Sequence, residues 1–230
     1  ADEIVDTFHD FPKREILEEF KNDTYKALDR GISINPVLHA FQMVVNEYNI
    51  DRALIDKFLE SMEKDLNEIT YSSLAYDDYI VGSAEVVGLM CLMVFVNGDE
   101  SLYDELEDPA RRLGAAFQKV NFLRDVKADF EDLGRSYFPG VNLTKFTHIE
   151  KLKIEADIAE DFHFALEGIK KLPSSSKLGV YVAYRYYMSL FKKIKSVPSE
   201  RLMHERIRVA NSKKLYITFK SYCRNQLNWI

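Results

Sequence analysis

Turn-forming residues are scarce in this sequence, with 9 Gly and 6 Pro among 230 residues. Sheets joined by tight turns depend on those two residue types, so a many-stranded sandwich or barrel is disfavoured. Cysteine is scarcer still. Cys91 and Cys223 stand far apart with no metal-ligand or redox spacing, and read as reduced intracellular thiols. The five histidines show no HExxH spacing, and no phosphate-binding glycine loop, dinucleotide fingerprint or nucleophile elbow occurs. Positive charge is not in excess overall: the formal net charge is −6, which argues against nucleic acid as the main partner. The longest apolar run, residues 80–96, contains Glu85 and falls short of the ~20 apolar residues that a membrane span requires. No signal-peptide pattern is present, and the chain opens at Ala1, without Met, inside a helical pattern. The expectation is that something upstream has been removed or left out.

What is there is an ordinary globular balance, 47% hydrophobic and 30% charged. Almost every segment has helical periodicity. Pro12 starts a helix that Gly31 stops, and Asn35-Pro36 opens a second, running to about Tyr48. Asp51 caps a third, and Asp77 or Asp78 opens a fourth that stays apolar around its circumference to Val96, as a helix buried on all sides does. Asp108-Pro109 reads as an N-cap followed by proline at the first helical position, with that helix continuing to about Asp132. Thr147 and Glu150 form a capping box for a helix ending near Leu172. After a linker at residues 173–176, one helix runs to about Ser196 and a last covers roughly Arg206 to Asn228. The expected fold is one all-α domain over residues 1–230. Charge is divided unevenly: residues 185–230 hold 11 Lys and Arg against 2 acids. That basic tail reads either as solvated helix faces or as a dock for an anionic membrane surface.

The carboxylates carry the chemical signal. Asp2 and Asp6 lie one helical turn apart on one face, about 6 Å along the axis, and Asp125 and Asp129 repeat the spacing. Two hard oxygen ligands at this separation suit Mg²⁺ shared with a substrate diphosphate. A single pair means little, because 37 acidic residues in 230 produce about six such pairs by chance. The second pair has richer surroundings: Gln118, Asn121, Asp125 and Asp129 form one stripe, bordered by Gly114, Ala115 and Phe122. That stripe is either the water face of an amphipathic helix or a row of ligand-orienting groups at the mouth of a cavity. Tyr79, Gly82, Ser83, Ala84, Gly88 and Cys91 place small residues at recurring helical positions. They permit either tight helix packing or a narrow apolar groove for a long hydrocarbon.

Residues 113–129, LGAAFQKVNFLRDVKAD, followed by GRSYFP at 134–139, resemble the squalene/phytoene synthase family through its second aspartate-rich motif, QxxNxxRDxxxD, and its GRxYxP tail. Asp2 and Asp6 match the first aspartate-rich motif, and residues 79–90 look like the family's tyrosine-led helix ending in VGLM. The region from Tyr184 to Lys214, with Arg206 and Lys213-Lys214, is similar to the family's C-terminal helices. Two departures stand out. The helices that precede the first motif in the family are missing from this chain, and Glu85 stands where the family commonly has a small residue.

The resemblance implies an isoprenoid-synthase-type helical bundle around a central cavity, lacking its N-terminal helices, and a prenyltransferase that joins two prenyl diphosphates head to head. Asp2, Asp6, Asp125 and Asp129 would hold Mg²⁺, with Mn²⁺ as a substitute, and the diphosphates. Gln118, Asn121 and Arg124 would orient or neutralise those diphosphates. Tyr79, Arg135 and Tyr137 would line the reacting end, while Val87, Gly88 and Phe117 would border the prenyl tunnels. The leading expectation is phytoene synthesis from two geranylgeranyl diphosphates through a cyclopropyl diphosphate. The alternatives are squalene or dehydrosqualene synthesis from farnesyl diphosphate, with NADPH needed only for squalene, and a non-catalytic assembly factor of the same family. A cytoplasmic monomer is expected, with peripheral contact to the inner face of the membrane through the basic C-terminal region.

Overall fold

The computed structural model describes the chain except for His9, residues 67–72, 132–136 and 142–145, and Asn228; the side chains of Ser73 and of residues 128–131 are likewise outside the description. All regular elements among the described residues are helical: α1 (Asp2–Asp6), α2 (Lys13–Arg30), α3 (Pro36–Glu47), α4 (Arg52–Lys64), α5 (Ser73–Ile80), a π-turn (Val81–Glu85), α6 (Val86–Phe95), α7 (Glu100–Glu131), α8 (His148–Lys171), α9 (Ser174–Lys195), α10 (Ser199–Leu202) and α11 (Asn211–Gln226).

Local chemistry sets the early boundaries. Gly31 ends α2 with φ of 67°, a left-handed conformation that an L side chain adopts at a cost. Asn35 accepts from the amides of Val37 and Leu38, and Asp51 from that of Ala53, so both cap as their positions suggest. The Thr147 capping box closes reciprocally with Glu150. Leu28, Val45, Ile50, Ile55 and Leu59 bury the facing stripes of α2, α3 and α4 against one another. A larger core joins α7, α8 and α9 through Ala116, Val120, Leu123, Ile158, Phe162, Leu190 and Ile194.

Four boundaries differ from the sequence reading. The helix assigned to start at Asp108-Pro109 starts at Glu100, with Asp99 accepting from the Leu102 amide at 3.0 Å, so Pro109 lies inside α7. Its ring packs where a Cβ on Gly168 of α8 would come within 2.2 Å of it, and this interhelical packing offsets the lost backbone bond. The fourth helix is already formed at Ser73, ahead of Asp77 and Asp78, and is interrupted by the π-turn. Serines 174–176 belong to α9, leaving only the residues around Pro173 as a connection. The last helix starts at Asn211, because residues 206–210 have no regular structure and bury Ile207 and Val209 in the core.

Leu74–Phe95, 22 residues whose most apolar 18 average a hydropathy of 1.7, meets the length and composition of a membrane span, which the shorter apolar run does not. In this fold it packs between α4 and α7 instead. Nor is it enclosed on all sides: Val87, Gly88, Cys91, Val94 and Phe95 face a cavity. Glycine allows the close crossing beside that cavity. A Cβ on Gly114 would stand 2.6 Å from the Ala84 carbonyl oxygen, and one on Gly88 2.9 Å from that of Ala110.

Candidate active site

The cavity, a cleft open to solvent, measures about 1010 Å³ between α6, α7, α8 and α9. Its wall is mainly apolar, with Leu106, Leu113, Phe117, Ile169, Leu172 and Val180 among the larger contributors. On α7 the lining extends from Leu106 to Gln118, about 18 Å at 1.5 Å per residue. Of the residues expected at the site, Val87, Gly88, Phe117 and Gln118 all line it. Phe117 is held in place by Tyr187 of α9, whose ring stacks on it at 3.9 Å.

Beyond Gln118, α7 carries the polar stripe away from the hydrocarbon wall. Asn121 accepts a hydrogen bond from the Tyr187 hydroxyl at 3.3 Å. Asp125 lies about 10 Å past Gln118 along the helix axis. Its carboxylate accepts from Arg124 Nε at 3.0 Å and is paired with Arg206 Nε at 2.6 Å. The hydrogen bond to Asp125 raises the Arg124 pKa further, so this guanidinium remains a fixed cation. Two cations on one carboxylate make an end of α7 suited to receiving an anion.

Aromatic side chains tie this end to the first acidic helix. Phe122 stacks on Tyr137 at 4.0 Å, and Tyr137 lies 5.4 Å from Tyr79. The Tyr79 hydroxyl donates to Asp65 at 2.8 Å inside the protein. Asp65 follows α4, and Met62 of α4 packs with Ile4 and Val5 of α1. Lys13 Nζ donates to the Val5 carbonyl at 2.7 Å, satisfying the end of that short helix. Asp2 and Asp6 therefore sit on a helix seated against the same element that orients Tyr79. Asp2 is exposed and Asp6 half-buried.

Among the described residues, no three carboxylate, histidine or cysteine side chains form a group that could hold a metal ion. The expected four-carboxylate cluster includes the Asp129 side chain, which with Arg135 lies outside the described residues. The donors present are nonetheless hard oxygens, as Mg²⁺ prefers, and the arginines on Asp125 match a diphosphate.

Several participants were not visible in the sequence. Asp65, Tyr187 and the partners of Glu85 have no local motif. Glu85 meets Arg111 at 3.4 Å, and Arg111 also pairs with Glu107 at 2.6 Å. Burial raises the Glu85 pKa, with the Arg111 hydrogen bond opposing it. The carboxylate that departs from the family pattern is therefore an interhelical anchor beside the cavity. A second anchor links α7 to α8: Lys119 donates to Asp157 at 2.6 Å and to the fully buried Asp161 at 2.7 Å, while Arg112 reaches Asp161 at 2.8 Å.

Residues 1–213 match the family described as squalene/phytoene synthase. The chain is 30% identical over 177 residues to a 15-cis-phytoene synthase of Pantoea ananas, covering 69% of this chain and 55% of that protein. It is 25% identical over 146 residues to a 4,4'-diapophytoene synthase of Staphylococcus haemolyticus, covering 63% and 48%. The chain thus spans about half the length of these curated relatives. Among solved structures it superposes on a dehydrosqualene synthase with TM-score 0.79 at 17% identity, covering 98% of this chain and 82% of the other. A squalene synthase from Alicyclobacillus acidocaldarius gives 0.64 at 17% identity, covering 99% and 79%. These likenesses establish an isoprenoid-synthase-type helical fold. With the family match over nearly its full length, this chain belongs to the squalene/phytoene synthase family.

Proposed function

We propose that this chain condenses two geranylgeranyl diphosphates head to head, through a cyclopropyl diphosphate, to phytoene. The observation that supports the reading is the long apolar cavity, which has room for two C20 chains. An engineered cavity of about 150 Å³ holds one benzene, or about 25 Å³ per carbon. On that scale 1010 Å³ has room for about forty carbons, the hydrocarbon of two C20 chains, and also for the ~750 Å³ of two C15 chains. Length agrees. Three extended backbone bonds cover about 3.6 Å, so a four-bond isoprene unit covers about 4.8 Å and a C20 chain about 19 Å. The cavity wall along α7 is about 18 Å long.

Asp2, Asp6, Asp125 and Asp129 would hold Mg²⁺, with Mn²⁺ able to substitute, and the bound ions would neutralise charge on the leaving diphosphate. Arg124 and Arg206 would exchange Asp125 for the incoming diphosphate, and Gln118 and Asn121 would orient it. The apolar wall would exclude water from the allylic cation and hold the second double bond against it. Tyr79, Phe122 and Tyr137, packed on one another, would brace the reacting end between α7 and α4. The domain would act as a monomer, with peripheral membrane contact through its basic C-terminal region.

The solved neighbours described as dehydrosqualene and squalene synthases favour one second reading, a C30 product from farnesyl diphosphate, with NADPH required only for squalene. Incubation with each labelled diphosphate, with and without Mg²⁺ and NADPH, separates the two. A C40 hydrocarbon formed without NADPH is the expected product; a C30 product alone overturns the chain-length assignment. Unchanged turnover in Asp125→Asn would overturn the placement of the diphosphate site.

A further inference from the structure

We infer that Arg185 and Arg224, converging from α9 and α11 on Tyr181, form a binding site for a soluble phosphate dianion, separate from the diphosphate site proposed above. Tyr181 lies about 9 Å along α9 from Tyr187 and about 120° around from it, away from the polar stripe of α7. On α11, Ile217, Ser221 and Arg224 fall within about 60° of one another, on the side packed against α9. The hydroxyl oxygen of the buried Tyr181 accepts from Arg224 Nη1 and from Arg185 Nη1, at 3.0 Å each. The two nitrogens therefore stand within about 6 Å of each other, twice that distance. The Arg185 guanidinium also lies 5.7 Å from the centre of the Tyr181 ring. Lys177 stands one turn before Tyr181 on the same face of α9.

Two guanidiniums this close repel, and a carboxylate between them would neutralise the pair. Among the described residues none does: neither arginine nor Lys177 is paired with an acid. Residues 185–230 hold only Glu200 and Glu205 as acids, and Glu205 is taken by Arg201. Glu167 of α8, whose charge reaches the neighbouring Tyr184, is held by Lys170 at 2.7 Å. The phenol registers the excess. Burial pushes the Tyr181 hydroxyl up, yet the hydrogen bonds and charge of Arg224 and Arg185 hold it below the usual tyrosine value. Each guanidinium carries five N–H donors, of which only one has a described side-chain acceptor. Both arginines are half-buried, so donors remain open to solvent beside a buried base. Two forks at this separation match the oxygens of one tetrahedral dianion, which accepts from both at once. A bound phosphate would clasp α11 to α9, against which α11 otherwise buries only Ile217 and Ser221.

Trp229 is the sole tryptophan, and its amide donates to the Arg224 carbonyl at 2.9 Å, so its emission reports on the site. In metal-free buffer at constant ionic strength, inorganic phosphate should change that emission saturably, and chloride should not. Phosphate should also raise the unfolding temperature. Dimethyl phosphate, a monoanionic diester, should bind at least about tenfold more weakly, which separates a soluble dianion from the diester of a lipid headgroup. Arg185→Gln and Arg224→Gln should each weaken phosphate about tenfold or more, with unchanged helical content by circular dichroism. Tyr181→Phe releases both forks and should bind phosphate at least as tightly as the parent, whereas a purely structural clasp gives no binding in either protein. Arg124→Gln, beside Asp125, should leave the Trp229 response as it is. None of these measurements depends on turnover, so their failure is separable from failure of the synthase assignment. An emission that phosphate does not move, a response retained in both arginine variants, equal binding of the diester, or a response lost in Tyr181→Phe or Arg124→Gln would each overturn the inference.

Discussion

Replacing Cys91 with phenylalanine tests the cavity as a ruler for substrate length. Cys91 lies on α6, projects into the cavity and is exposed to it. A phenyl ring fills about 150 Å³, less the volume of the sulfur it replaces, which leaves roughly 870 Å³ of the original 1010 Å³. That is below the ~1,000 Å³ that forty carbons require and above the ~750 Å³ for thirty. Two C20 chains would then overpack the site, at about 1–3 kcal/mol, while two C15 chains would still fit. The specificity constant for geranylgeranyl diphosphate should fall roughly 5- to 150-fold, and that for farnesyl diphosphate should change little. The assay is chromatography of hydrocarbons formed from an equimolar mixture of the two labelled substrates. The parent should make mainly C40 and Cys91→Phe mainly C30. Retention of C40 as the main product, with the constant for geranylgeranyl diphosphate within about twofold of the parent, refutes the volume argument.

Three further perturbations probe the frame that holds the site. Gly114→Ala puts a Cβ 2.6 Å from the Ala84 carbonyl oxygen and should cost about 1–3 kcal/mol in urea denaturation despite alanine's better helix propensity; no loss would mean that the crossing has slack. Lys119→Met leaves the fully buried Asp161 with Arg112 alone and should cost about 3–5 kcal/mol, so a neutral variant would discard the anchor. Burial raises the folded-state pKa of Glu85 above its ordinary 4.5, with the Arg111 hydrogen bond opposing the shift, so the folded chain holds that proton more tightly than the unfolded one. The charged form therefore costs stability above the folded pKa, and the cost is relieved as pH falls through it toward 4.5. Glu85→Gln should be the more stable protein at neutral pH, with its advantage shrinking on acidification; an advantage that grows in acid contradicts the sign.

Legibility from sequence followed the range of the forces involved. The caps at Asn35, Asp51 and Thr147 lie where the residue types suggest, because each acts on amides two or three residues away. Asp108-Pro109 misled for the same reason. The local pattern is a good helix start, but a helix capped at Asp99 and packed through Pro109 onto Gly168 overrides it. Arg206 was legible as part of a C-terminal resemblance, yet its pairing with Asp125 crosses 81 residues and has no sequence signature. Tyr187 packs against Phe117 and Asn121 only because α9 crosses α7 at that height.

The order of residues along each helix was enough to establish an all-α chain, the two acidic motifs, the polar stripe on α7 and the small residues of α6, since periodicity and capping are properties of a few neighbouring positions. Which of those small residues would pack and which would open a cavity was decided by tertiary structure. Gly114 receives the Ala84 carbonyl, whereas Cys91 faces empty space. The difference depends on the distances between helices, and anchors such as Lys119 with Asp161 and Arg111 with Glu85 hold helices together from positions 26 to 42 residues apart.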